Sequence, residues 1–223
     1  MNETFDKLRL RFSKTGRAIY ISHLDLMRTM QRAFLRSGIK LKNSEGFNPH
    51  PLISLALPLS VGTASLCEIM DFRLSEYMEL SEIPFRLNKS LPEGIEVTEV
   101  YKAVRKPKEI KWLDVDGVFE YDTRQPDEML EGLIDFFQRE SIVIEKKTKS
   151  GVSDFDLAPN IRSLSFDVDG GRLMLKALVS AQEPTLNPEL LLVALHSLAP
   201  ELAPDFAAFT RTQLYDHDME VFR

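Results

Sequence analysis

Lys7-Leu-Arg-Leu-Arg-Phe12, followed ten residues later by Ser22-His-Leu-Asp-Leu-Met-Arg-Thr-Met-Gln-Arg-Ala-Phe-Leu-Arg-Ser-Gly38, is the stretch on which the fold reading turns. The first peptide alternates strictly, with Leu8, Leu10 and Phe12 on one face and Lys7, Arg9 and Arg11 on the other, the period of a half-buried strand. The second opens on Ser22, a good N-cap with Asp25 three residues on, and closes on Gly38, so residues 23–37 should form a helix. At 100° per residue, Leu24, Met27, Met30 and Phe34 fall on one side, while Arg28, Arg32 and Arg36 occupy an arc of about 80° on the other.

Outward from this unit, a polar loop from Lys40 to Pro51 leads into the apolar run Leu52 to Leu57, closed by Pro58 and a turn at Gly62. Cys67 to Leu74 reads as the next strand, residues 76–90 as a helix despite Pro84, and Pro92-Glu-Gly94 introduces a strand from Ile95 to Ala103. The order β-α-β-β-α-β is the split βαβ, or ferredoxin-like, plan, in which two helices cover one face of a four-stranded antiparallel sheet. After the charged linker Arg105-Lys-Pro-Lys-Glu109, a looser version recurs. Val118–Tyr121 and Ser141–Lys147 read as strands on either side of a helix from Pro126 to Gln138. Asp169-Gly-Gly171 is a hairpin signal between the strands Ile161–Val168 and Arg172–Val179, followed by a helix at Pro188–Leu198 and a strand near Thr210–Tyr215. The expectation is an α+β protein of two tandem ferredoxin-like domains with antiparallel sheets. The first, residues 1–108, is basic, and the second, 109–223, is acidic, with an irregular insertion around Ser150 to Asn160.

The net charge of −6 hides an asymmetry. Residues 1–60 hold ten basic side chains against four acidic ones, so this segment carries +6 and the remainder −12. Such a split points to an anionic partner for the basic segment. The one cysteine, Cys67, excludes an internal disulfide and cannot supply the thiolates of an iron–sulfur cluster or structural zinc site, so no metal site is expected in this chain. The first residues contain no apolar h-region and no stretch approaches the roughly 18 apolar residues of a spanning helix, which makes a cytoplasmic protein without membrane contact the expectation.

Two groups of residues could carry chemistry. In Gly46-Phe-Asn-Pro-His-Pro51 two prolines restrict the backbone around His50, which, with or without His23, could act as acid or base or bind phosphate; the competing reading is a loop that fixes the start of the next strand. His23, by helical phase, points toward the apolar side. Lys7, Arg9 and Arg11 form a row on the face of the first strand away from the helices, with Lys14 and Arg17 at its end, suited to nucleic acid. The same row could be a charge ladder with Asp71, because the aromatic pair of RNA-recognition domains is missing from Cys67, Ile69, Asp71 and Arg73. Gly-x-Ser-x-Gly, P-loop, dinucleotide and His-Glu-x-x-His patterns are absent from the sequence.

The run Leu10 to Gly38, together with Gly46-Phe-Asn-Pro-His-Pro51, Ile53 to Gly62 and Glu68-Ile-Met-Asp71, resembles the bacterial radical-SAM-linked protein family, defined by a domain of unknown function. Its members are encoded beside, or fused to, a radical S-adenosylmethionine protein, often near genes for ribonuclease E/G and ribosomal proteins. The resemblance implies a radical SAM protein as partner, carrying the S-adenosylmethionine and the iron–sulfur cluster, while this chain binds no cofactor. It also implies work on RNA or the ribosome. It assigns no catalytic residue, so His50, His23 and Asn48 remain candidates on their own chemistry. Three functions stand: an accessory or substrate-positioning protein, a metal-independent RNA-processing or RNA-modifying enzyme using His50 and His23, and a structural assembly module.

Overall fold

The computed structural model describes residues 7–148 and 151–223 and divides into two compact units, residues 1–109 with Arg223, and 110–222. Each is a mixed α+β arrangement, and every strand pairing within a unit is antiparallel.

In the first unit, β1 (Leu8–Lys14), α1 (His23–Arg36), β2 (Ile53–Ala56), β3 (Ala64–Phe72), α2 (Glu82–Asn88) and β4 (Ile95–Lys102) follow one another. Their strands lie in the order β4-β1-β3-β2. Leu8, Leu10 and Phe12 of β1 are buried in one core with Met30 and Phe34 of α1, Met70 and Phe72 of β3 and Ile83 and Leu87 of α2. The buried face of α1 is Leu26, Met30, Ala33 and Phe34. Leu24, expected to pack, is 66% exposed, because Leu26 and Ala33 share the inward arc and leave the first turn outside. Ser22 caps this helix by accepting from the Asp25 N–H at 3.2 Å. A Schellman closure ends it: Gly38, at φ +72°, donates to Leu35 and Ile39 to Phe34.

The second helix is shorter than the expected 76–90, because Pro84 has to stand in the first turn, where no N–H is required. Its last residue, Asn88, donates to the Val97 carbonyl and accepts from the Val97 N–H, satisfying part of the outer edge of β4.

The second unit runs β5 (Trp112–Glu120), α3 (Pro126–Phe137), β6 (Val143–Thr148), β7 (Gly151–Asp156), β8 (Ile161–Asp169), β9 (Arg172–Ser180), α4 (Glu189–Leu198) and β10 (Phe206–Tyr215), with strand order β10-β5-β9-β8. The expected strand at 141–147 does not join that sheet. It forms a separate hairpin, β6 with β7, in place of the expected irregular insertion; Lys149 and Ser150 lie outside the described residues. Asp156 anchors the hairpin by accepting from the N–H groups of Ile142 and Ala158 and from the Ser141 hydroxyl. These bonds, the Ile142 N–H first, hold its carboxyl below the usual carboxylate range.

The alternation of β1 places Arg9 directly opposite Asp71 of β3. Arg9 is 0% exposed, and its Nε and NH2 groups donate to the two carboxylate oxygens at 2.6 and 3.0 Å, with a further bond to the Arg105 carbonyl at 3.0 Å. Asp71→Ala should therefore leave a buried guanidinium without its anion and cost about 2–4 kcal/mol in urea unfolding, the lower part of the range because the Asp71 side chain is 25% exposed. The double variant Arg9→Met/Asp71→Leu should recover most of that loss; an Asp71→Ala protein as stable as the parent would show that the pair contributes nothing.

Candidate functional site

Antiparallel pairing brings the starts of β1 and β2 and the ends of β3 and β4 to one rim of the first unit, since Leu8 lies opposite both Phe72 and Lys102, and Ile53 opposite Phe72. Four basic residues meet there. Lys7 precedes β1, Arg73 follows β3, and Arg105 and Lys106 follow β4; with Leu52, Ile53 and Val104 they line a cleft of about 450 Å³. Asp71 is the lone carboxylate among the described lining residues, and Arg9 already engages both of its oxygens. Glu109 reaches the same peptide from below, accepting from the Lys106 N–H at 2.9 Å and from Arg105 Nε at 3.3 Å. The Lys106 N–H and Arg105 hold the Glu109 carboxyl below its ordinary range, so it stays charged and fixes the backbone that presents the two cations.

A second feature grows from this rim. The Lys42 N–H donates to the Arg73 carbonyl at 2.9 Å and the Leu52 N–H to the Lys42 carbonyl at 2.8 Å. Bridges pair Leu41 with Leu74 and Asn43 with Pro51. The loop between them is tied across its base: Ser44 N–H donates to the His50 carbonyl at 2.8 Å, His50 N–H donates to Ser44 Oγ at 3.1 Å, and Nδ1 of His50 lies 2.9 Å from Ser44 Oγ. The imidazole is exposed, and Nε2 has no hydrogen-bond partner among the described residues. Phe47 and Asn48 stand exposed at the loop's tip.

The residues proposed from sequence are dispersed by this geometry. Lys7 is exposed on the cleft rim, and Arg11 is half-buried. Arg9 and Lys14 are buried, which corrects the reading of a solvent-facing basic row: Arg9 is consumed by Asp71, and Lys14 Nζ donates to the Ile19 carbonyl at 3.1 Å. Burial lowers the Lys14 ammonium pKa, with Glu68 opposing. Arg17 is exposed in the short helical turn that follows β1, beyond the end of the strand away from Lys7. His23 is exposed rather than turned to the apolar side, because it is the first residue of α1 and lies outside the packed arc. The length of α1, about 20 Å at 1.5 Å per residue, separates it from the chain that leads to the His50 loop, and no hydrogen bond joins the two histidines among the described residues. Arg73, Arg105, Lys106 and Phe47 were not singled out from sequence as binding residues. The signal present for two of them was the run Arg105-Lys-Pro-Lys108, read as a linker.

Among the described residues, no three His, Cys, Asp or Glu side chains converge as a metal site requires, and no helix is long and apolar enough to cross a membrane.

No curated protein matches the sequence. A solved chain from a Cbf5-Nop10-Gar1 complex shares the fold, with a TM-score of 0.51 and 7% identity over 93% of this chain. The match takes in 48% of that chain, so the present sequence spans about half its length. An unknown protein from Galdieria sulphuraria is also matched, at 10% identity over 94% of this chain and 97% of that one, with a TM-score of 0.26. Residues 7–188 match the family described as "Uncharacterized protein conserved in bacteria (DUF2344)", and the chain belongs to that family.

Proposed function

We propose that this chain is a cytoplasmic accessory protein that holds an RNA or ribosomal segment for a separate radical S-adenosylmethionine enzyme, gripping phosphates in the basic cleft of its first unit. The observation that carries this reading is the convergence of Lys7, Arg73, Arg105 and Lys106 on one rim, with Asp71 neutralised by Arg9. Arg105 is shared with Glu109, but Lys7, Arg73 and Lys106, from three separate chain segments, make no ion pair among the described residues, which points to a polyanion rather than to a ladder of local ion pairs. The order of strands, last-first-third-second in each unit, supports reading both as copies of one split-βαβ, ferredoxin-like plan, with β6 and β7 added to the second. The radical enzyme as partner rests on the sequence resemblance. A single cysteine, buried on β3, cannot hold a cluster, so that chemistry belongs to the other polypeptide.

Two outcomes are expected. Lys7→Glu/Lys106→Glu should weaken RNA binding at least tenfold in low salt and flatten the slope of log Kd against log salt by about one unit for each phosphate that is no longer neutralised. Arg17→Glu, at the opposite rim, should change neither; equal binding by the double variant, measured by fluorescence anisotropy, would remove the cleft from consideration. Co-expressed with the radical enzyme, the chain should co-elute with it at micromolar concentration and raise its activity. Independent elution with unaltered activity would favour an RNA-binding or assembly module acting alone.

A further inference from the structure

The loop from Asn43 to Pro51 carries an apolar ring that the fold does not use. Phe47 is 112% exposed, more than any other large hydrophobic side chain described. The other strongly exposed phenylalanine of this unit, Phe85, has Lys89 Nζ 3.9 Å above its ring, whereas neither face of Phe47 meets an aromatic ring or a cation among the described residues. One exposed apolar residue is ordinary on a protein surface. What distinguishes this one is the scaffold beneath it.

The Ser44–His50 clamp closes the loop with three contacts of 2.8 to 3.1 Å, and Pro49 and Pro51 fix two of its φ angles. Gly46, at φ +119°, turns the chain immediately before Phe47, a conformation that side chains disfavour. The ring is thus presented on a pre-organised support, which reduces the entropy lost on contact. Charge is divided along the loop. From Asn43 to Pro51 there is no cation: the tip offers Glu45, Asn48 and the open edge of His50, all hydrogen-bonding groups. The cations lie below, at the cleft from which the loop springs. A membrane-inserting tip would need several apolar residues and basic flanks; this tip has one ring beside a carboxylate and an amide.

We infer that the loop is a base-stacking finger: the face of Phe47 takes one unpaired nucleobase, with Asn48 and His50 beside it to meet the base edge, while the cleft holds the adjoining backbone. The inference rests on the proposed RNA binding and specifies its substrate class as single-stranded or looped RNA, because a base inside an A-form duplex offers no free face.

The test uses the full chain and a short unstructured oligoribonucleotide carrying 2-aminopurine, whose fluorescence is quenched by stacking. The parent protein should bind and quench. Phe47→Ala should weaken binding about five- to 100-fold and abolish quenching while leaving the salt slope unchanged, because the phosphate contacts remain. Phe47→Trp should restore both affinity and quenching, and a duplex of the same sequence should compete poorly. Unchanged affinity and quenching with Phe47→Ala would overturn the finger while leaving the cleft intact, provided that Lys7→Glu/Lys106→Glu still weakens binding. Equal competition by duplex would overturn it as well. Loss of co-elution with the radical enzyme, with RNA binding preserved, would make the loop a protein contact and also overturn it. No RNA binding by the parent protein would remove both readings together.

Discussion

A guanidinium sealed inside the first unit fixes where everything around the candidate site can go. Arg9 has no exposed surface, and a charge so placed is tolerated only with its counter-ion in place. Asp71 supplies two hydrogen bonds from the neighbouring strand, so any slip of β3 along β1 would strand a buried charge. The Arg105 carbonyl supplies another and draws the chain leaving β4 over the start of β1. The basic cleft is a consequence of this arrangement. Arg105 and Lys106 reach the rim because Arg9 holds the peptide that joins them, and Asp71 contributes little negative potential there because its carboxylate is already engaged.

The elements with strong local signals were legible in the sequence. Leu8, Leu10 and Phe12 alternate and are buried together; Ser22 and Gly38 bracket α1 because their side-chain and backbone requirements are local. Where the outcome depended on tertiary packing, the sequence was ambiguous. Leu24 and Leu26 are equally apolar, and the surface to be covered decides which turns inward. Gly151–Asp156 reads Gly-Val-Ser-Asp-Phe-Asp, a poor strand by propensity, yet it pairs with β6 because Asp156 caps the hairpin's base.

Composition pointed to the first unit but not to the site, since of the four cleft cations only Lys7 lies in the basic segment 1–60. Counting charges found the basic segment, and counting cannot tell a buried lysine from an exposed one: Lys14 and Arg17 are three residues apart, one serving a carbonyl inside the fold and the other standing in solvent. Hydropathy hid Phe47 for the opposite reason. A phenylalanine is by default a core residue, and its exposure follows from Gly46, the two prolines and the Ser44–His50 clamp acting together.

That clamp also bears on whether His50 is a catalyst. A general base needs one ring nitrogen facing substrate and the other oriented by a fixed partner. Ser44 Oγ orients Nδ1 and Nε2 faces solvent, so the geometry is half of what an acid–base residue requires. The other half is a second group poised across a substrate, and the topology puts His23 at the opposite rim. What the loop offers is a fixed aromatic face and unsatisfied edges, which favours recognition over proton transfer. Residues 1–109 carry seventeen basic and thirteen acidic side chains, a net +4, while the remaining residues carry −10. A polyanion would therefore be attracted by one unit and repelled by the other, which would direct its approach to the unit that holds the cleft and the loop.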